Sequence, residues 1–350
     1  MSVKAVPSVV EGQYFHDLMA QPQALRATLA WLGQPGRWAQ AGKFVTQRPW
    51  RRIVLTGMGS SYHTLHPLNL TLIEAGLEPV MMETAELVHY GLPLCGEQSL
   101  IIAVSQSGGS AETIRLLELE HRATVLGVTN TANSPLAQRA ELALLSQAGP
   151  EFSVSCKTYV ANMLIRQWLA AVLAGAEENA TLAQLGATAD LVADYLRDWR
   201  GHSDSLAEKL RGARHLFLTG RGSSLSAVGT GALIIKEAAR VHAEGMSSAA
   251  FRHGPIEMLR PDILIAVYRG DNRTQELNHR LVRDLIARGA HCYEIGTEAA
   301  LPALRLAACA PALRPILEIL PVQMMTLALA SLAGREAGYF EQASKITGTE

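Results

Sequence analysis

Two copies of one phrase constrain this chain more than any other feature: LTGMGSS at residues 55–61 and LTGRGSS at residues 218–224. Each follows an apolar run, Arg52-Ile53-Val54 in the first case and His215-Leu216-Phe217 in the second. A Gly-x-Gly-Ser-Ser turn that leaves a short strand and enters a helix presents backbone N–H groups and two hydroxyls to an anion, so the phrase reads as a phosphate-binding turn. The copies lie 163 positions apart (218 minus 55), and Ile102-Ala103-Val104 returns at the same offset as Ile265-Ala266-Val267. A fixed offset over two separate segments points to a duplicated unit.

The halves diverge where chemistry is expected. After Val104 the first continues Ser105-Gln106-Ser107-Gly108-Gly109-Ser110-Ala111-Glu112-Thr113, a hydroxyl-rich loop between strand and helix. The corresponding stretch of the second is Tyr268-Arg269-Gly270-Asp271-Asn272-Arg273, with an acid at its centre. Only the first half therefore reads as a complete phosphate cradle.

At 350 residues the chain suits two domains of roughly 100–200 residues each, which agrees with the repeat. Hydrophobic residues make up 48% and charged residues 18%, with a net charge of −1, so a large core is available and nothing in the charge balance calls for nucleic acid. Cys95, Cys156, Cys292 and Cys309 are scattered, without the C-x-x-C spacing of a zinc or redox site, and read as reduced thiols of a cytoplasmic protein. The N-terminal stretch MSVKAVPSVVEGQYF lacks the apolar core of a signal peptide. The most apolar segment, 311–334, is interrupted by Arg314, Pro315, Glu318, Pro321 and Gln323; it reads as a buried strand (316–320) and a buried helix (322–332), with no membrane span.

Elsewhere short apolar runs alternate with helical segments. Residues 13–33 form a leader helix broken near Pro22, followed by a linker. Strands are expected at 52–57, 78–82, 100–105, 124–129 and 142–146, with helices starting near Ser61, Ala85, Ser110 and Pro135 and a long helix over 158–174. A helical connection (177–212) leads to strands near 215–220, 263–268, 291–296 and 316–320. Ala232 to Glu244 is rich in helix formers and predicts a helix that Gly245 ends.

Within that helix Glu237 stands among alanines and isoleucines. Burial would raise its pKa toward the range useful for proton transfer, whereas pairing with Arg240 or Lys236 would make it a surface ion pair. His253 falls at a loop tip before Gly254-Pro255. His63 and His66 have H-x-x-H spacing, yet no third ligand is evident and Pro67 interrupts the helix that would align them, so no metal is expected.

Together these residues resemble the SIS (sugar isomerase) family, and within it the two-domain isomerase half of the glucosamine-6-phosphate synthases. The resemblance runs through Met19-Ala20-Gln21-Pro22-Gln23-Ala24-Leu25-Arg26, Gly59-Ser60-Ser61-Tyr62, Ser105-Gln106-Ser107-Gly108, Lys236-Glu237, His242-Ala243-Glu244, His253-Gly254-Pro255 and the terminal Ser344-Lys345-Ile346-Thr347. It implies an α/β fold of two tandem SIS domains, each a parallel sheet with helices on both faces. The divisions would be a helical leader (1–49), a first domain (50–176), the connection (177–212), a second domain (213–335) and a tail reaching the active site (336–350).

The same resemblance assigns roles. Gly59 shapes the first turn, Ser61, Ser105, Gln106, Ser107 and Ser110 hold the sugar phosphate, and Ser60 contacts a sugar hydroxyl. Glu237 shuttles a proton between carbons 1 and 2, His253 opens the ring from a neighbouring subunit, and Lys345 approaches the carbonyl carbon, where it could form a Schiff base. Glu151-Phe152-Ser153-Val154-Ser155-Cys156-Lys157-Thr158-Tyr159 resembles a family stretch that is one residue longer, making Val154 and Ser155 wall residues.

Three departures qualify the parallel. No glutaminase domain or early cysteine precedes the repeat, Ile234 replaces a family lysine three residues before Glu237, and Gly109-Ser110 replaces the usual acid and threonine. The expected activity is therefore aldose–ketose interconversion of a phosphorylated amino sugar or sugar–amine conjugate with loss of ammonia or amine, by glucosamine-6-phosphate deamination or by deglycation. It needs no cofactor or metal, and the active form is a homodimer with shared sites. The rival from another class is a non-catalytic sugar-phosphate sensor. Retention of Glu237, His253 and Lys345, and the lack of a basic DNA-binding extension, argue against it.

Overall fold

The computed structural model describes residues 8–47 and 50–349, so the start of the N-terminal stretch expected to lack a signal peptide lies outside the described residues. The chain divides into two compact units. One is built on the first sheet and contains residues 21–150 and 157–189 together with the chain end from Ser344. The other is built on the second sheet and contains the chain up to Ala20, Glu151–Cys156 and Asp190–Ala343.

The first sheet has five parallel strands, β1 (Arg52–Gly57), β2 (Pro79–Glu83), β3 (Ser99–Val104), β4 (Thr124–Thr129) and β5 (Leu142–Leu145), in the order β2-β1-β3-β4-β5. The second has four, β6 (His215–Gly220), β7 (His242–Ser247), β8 (Ile263–Tyr268) and β9 (His291–Ile295), in the order β7-β6-β8-β9. Every residue of β3, β4 and β8 is buried, as a central parallel strand covered on both faces requires. Val54, Ile101, Leu116 and Leu136 pack on one side of the first sheet, and Phe217, Phe251, Ile265 and Leu281 form the matching layer on the second. Each such side chain stabilises its unit by about 1.5–3 kcal/mol. The expected strands of the first half fall within one residue of those observed.

Four readings need correction. The helix predicted for 232–244 stops early: helix Leu225–Ile234 passes into a single π turn, Ile235–Ala239, and Arg240 then reverses the chain with φ +54°. Residues 242–247 leave to form β7, in register with β6 from His215↔His242 to Gly220↔Ser247. Pairing along an open sheet edge outweighs local helix propensity here. Gly245 ends no helix; it lies inside β7, where an added Cβ would come 2.5 Å from the Val228 carbonyl oxygen.

The strand predicted for 316–320 is also helical, as Arg314–Leu317 and then Leu320–Leu332, with a proline in the first turn of each. A short apolar run does not distinguish a buried strand from a buried helix. This stretch, Arg314–Leu332, is long and apolar enough to cross a membrane by composition, and it is 94% buried. The linker expected after residue 33 contains a helix, Arg37–Thr46, preceded by Gly36 at φ +85°. Finally, the repeat slips by one residue between strands. Leu55 pairs with Ile102 but Leu218 pairs with Ala266, so Tyr268 ends β8 and Arg269 takes the place of Ser105.

Glu318 sits between the two proline-led helices and is fully buried, which pushes its carboxyl up from 4.5 to about 7; its bond from Ser224 and the nearby Arg314 pull the other way. Between pH 4.5 and 7 the unfolded chain therefore releases this proton before the folded one does, and stability falls as pH rises. The full penalty, about 3 kcal/mol at most, is reached above pH 7. Urea titrations of wild type and Glu318→Gln at pH 5 and pH 7.5 should show a smaller loss of stability across the interval for the amide. Equal losses in both proteins would refute the assignment.

Candidate functional site

In an open parallel sheet, ligands bind beyond the carboxyl ends of the strands, where the strand order reverses. In the first sheet that point lies between β1 and β3, because β2 flanks β1 on one side and β3 on the other. The loops leaving β1 and β3 are the two hydroxyl-rich segments singled out in the sequence.

After β1, Gly57 has no space for a side chain: a Cβ there would stand 2.9 Å from the Val104 carbonyl oxygen and 3.1 Å from the backbone of Ser61 and Tyr62. Gly59 adopts φ +50°, and the short helix Gly59–His63 begins. Ser60 and Ser61 are half-buried, and their hydroxyls have no protein partner among the described residues.

After β3, Ser105 continues the ladder by donating its N–H to the Val128 carbonyl at 3.0 Å. Its side-chain oxygen accepts from the Gly108 N–H at 3.2 Å, and the Ser107 oxygen accepts from the Gly109 N–H at 3.2 Å. Each hydroxyl thereby accepts from the loop and keeps its own proton available to donate. Gly108, at φ +64°, permits a turn in which a Cβ would lie 2.1 Å from the Ser134 Oγ. Ser110 caps helix Ala111–Glu118, accepting from the Thr113 N–H at 3.4 Å. The Gln106 carbonyl is fixed by the Asn130 N–H at 3.0 Å. Among the described residues the N–H groups of Gln106, Ser107 and Ser110 meet no protein acceptor. Two seryl hydroxyls, several free N–H groups and a helix N-terminus are the parts of a dianion cradle.

The chain end lies against the same loop: the Thr347 carbonyl accepts from the Ala111 N–H at 3.1 Å. Lys345, two residues earlier and half-buried, belongs with this unit.

The second-sheet unit carries the other candidates. Glu237 lies in the π turn and is half-buried. Arg240, one of the two cations considered as its partner, is occupied elsewhere, 2.7 Å from Glu341 and donating to the Tyr339 carbonyl at 2.8 Å. Tyr14 is completely buried with its hydroxyl 3.2 Å from the Thr326 Oγ1. Burial, followed by the charges of Cys156, Glu237 and Glu151, holds its phenol well above the usual range and keeps it protonated. The buried Glu151 carboxylate accepts from the Cys156 N–H at 2.9 Å. Of the two wall residues, Val154 is buried and Ser155 half-buried. Sequence reasoning missed Tyr14 and Glu151; Glu151 begins a stretch that resembles the family, but nothing singled out a tyrosine in the leader helix.

His253 stands exposed at the end of helix Ser248–Arg252, followed by Gly254 at φ +140°. The rings of His63 and His66 stack 6.3 Å apart, and burial lowers His66 to about 4, so it is neutral. No cluster of three or more His, Cys, Asp or Glu side chains converges on a metal position among the described residues.

The SIS domain family model matches residues 48–172 and again 209–333. Among curated relatives, the glutamine–fructose-6-phosphate aminotransferase (isomerizing) of Pyrococcus horikoshii is 29% identical over 341 residues, which cover 93% of this chain and 56% of the relative. The chain thus spans about half the length of the curated relatives it matches. Two solved structures share the fold. The C-terminal domain of glucosamine-fructose-6-phosphate aminotransferase from Francisella tularensis superposes with TM-score 0.81 at 18% identity, covering 94% of this chain and 98% of that one. Glucosamine-6-phosphate deaminase from Thermotoga maritima superposes with TM-score 0.74 at 19% identity, covering 93% and 96%. Two matches to one domain model, each centred on one of the two parallel sheets, make this chain a member of the SIS family.

Proposed function

We propose that this chain is an enzyme that moves a proton between carbons 1 and 2 of a phosphorylated amino sugar or sugar–amine conjugate and releases ammonia or an amine. The observation that carries this reading is the unsatisfied donor set after β1 and β3, which suits a phosphate monoester. The names of the related aminotransferase and deaminase add an amino-sugar phosphate as the substrate class.

In the proposed reaction Ser61, Ser105, Gln106, Ser107 and Ser110 hold the phosphate and Ser60 a sugar hydroxyl. Glu237 removes the proton from one carbon and returns it to its neighbour through an enol(amine). The resulting carbon–nitrogen double bond takes up water and breaks, releasing ammonia in the deamination and the substituted amine in the deglycation. Lys345 serves the carbonyl carbon, either electrostatically or as a transient imine. Ile234, which the family resemblance sets against a lysine, is fully buried, so this reading gives proton movement between the sugar oxygens to another group or to solvent.

Three outcomes test this reading. Ser105→Ala combined with Ser107→Ala should weaken binding of glucosamine-6-phosphate and of fructose-6-phosphate in calorimetry, since each charge-assisted hydrogen bond is worth about 1.5–3 kcal/mol. Unchanged affinity would remove the cradle from consideration.

Glu237→Gln keeps the shape of the π-turn residue without its basicity. It should lower release of ammonia from glucosamine-6-phosphate, or of lysine from fructoselysine-6-phosphate, by about 10²–10⁴ while ligand still binds. Saturable binding with no turnover of either compound by the wild type would favour a sensor.

We also propose a homodimer in which the exposed His253 acts on the neighbouring subunit's substrate. Mixed subunits of Glu237→Gln and His253→Ala should then recover part of the activity that each lacks alone. A monomer by light scattering at assay concentration would end that part of the proposal.

A further inference from the structure

The second sheet repeats the strand reversal of the first, between β6 and β8, and repeats its backbone bends. Gly222 has φ +59° where Gly59 has +50°, and the loop after β8 also turns through a left-handed glycine, Gly270 at φ +75°, two residues earlier in register than Gly108 at +64°. The seryl cradle is not repeated. Beyond the ends of β8 and β9 lies a cavity of about 150 Å³, lined by Gly270, Asn272, Gly296, Cys309, Arg314 and Glu318 among others. That is room for about five waters.

Two features of its wall are unusual for a structural void. Glu318 is 1% exposed. Its Oε1 accepts from the Ser224 hydroxyl at 2.9 Å, while its Oε2 is buried without a partner. An unpaired buried carboxylate oxygen is costly to leave unsatisfied. Arg314 is half-buried, and among the described residues it makes no ion pair within 4.0 Å. The other wall guanidinium, Arg269, is already committed, at 3.1 Å to Glu294 and 2.7 Å to Glu298. Glu318, with one buried oxygen lacking a partner, and Arg314, without an ion pair, thus both line the cavity, four residues apart in sequence.

We propose that this cavity is a second ligand site, separate from the seryl cradle, for a small molecule carrying both an ammonium group and an anionic group. The ammonium hydrogen-bonds to Glu318 Oε2 and the anion to Arg314. Binding completes the hydrogen bonding of the buried carboxylate, which burial otherwise keeps close to protonation, at a pKa of about 7. A free amino acid and an amino-sugar phosphate share this chemistry. The site does not depend on the reaction proposed for the first sheet.

The test uses the full chain carrying Ser105→Ala and Ser107→Ala, which weakens the first-sheet cradle by two hydroxyls, and titrates L-alanine, L-lysine and glucosamine-6-phosphate in separate calorimetry runs. Saturable binding of at least one compound at one per chain is expected. Arg314→Ala and Glu318→Gln should each weaken it tenfold or more, and the bound compound should slow alkylation of Cys309 by iodoacetamide, read by peptide mass spectrometry. The compound that binds identifies the source. No binding by any of the three overturns the proposal, as does binding that Arg314→Ala leaves unchanged. Arg314 lies partly at the surface, so its alanine variant keeps the test decisive if Glu318→Gln fails to fold; melting curves of each variant establish which have folded.

Discussion

The close approach of two parallel strands at the point where their order reverses governs the first candidate site. β1 must lie against β3 closely enough that its last residue, Gly57, cannot carry even a methyl group, since backbone atoms of Val104, Ser61 and Tyr62 fill that space. Only then do the loops leaving the two strands stand side by side. At the corresponding position of the second sheet, Gly220, the nearest atoms are side chains of Val228, Tyr268 and Ser224 at 3.1–3.3 Å. The first reversal is closed backbone to backbone, and the second is padded by side chains. One topology therefore supplies a tight, donor-rich turn in one unit and a looser, side-chain-walled hollow in the other.

The two ends differ in what they present. The first offers hydroxyl groups and amide N–H groups without protein partners among the described residues. The second keeps an acid inside the protein, where desolvation holds it near the boundary between its neutral and charged forms. A duplicated unit can diverge in this way because the sheet fixes only the backbone bends, through glycines at positive φ. The side chains hung on those bends are free to change.

The sequence made the first sheet legible because its strands are short apolar runs bounded by turn residues, and because the repeated glycine phrase anchors two of them. The two seryl loops after β1 and β3 were readable as strand-to-helix turns from residue type and position alone. Misreadings gathered where tertiary contacts overrule local preference. His242-Ala243-Glu244 has helical composition, yet it pairs with β6 because an edge there is open. Ile316 to Leu320 has the look of a strand, yet it spans the end of one helix and the start of the next, each with a proline in its first turn. Tyr14 and Glu318 could not have been chosen from spacing. Their significance comes from burial beside groups distant in the chain, Glu237 for one and Ser224 for the other.

The π turn at Ile235–Ala239 has a consequence for how Glu237 is held. A π turn accommodates one residue more than an α-helical turn, so it rotates the residues beyond it by about 100° around the helix axis relative to an uninterrupted helix. Glu237 lies inside that wider turn. The chain leaves the turn through Arg240 in a left-handed conformation that few side chains adopt, held by Glu341 and the Tyr339 carbonyl. The direction of a carboxylate in the helix layer is thus tied to a segment about a hundred residues later.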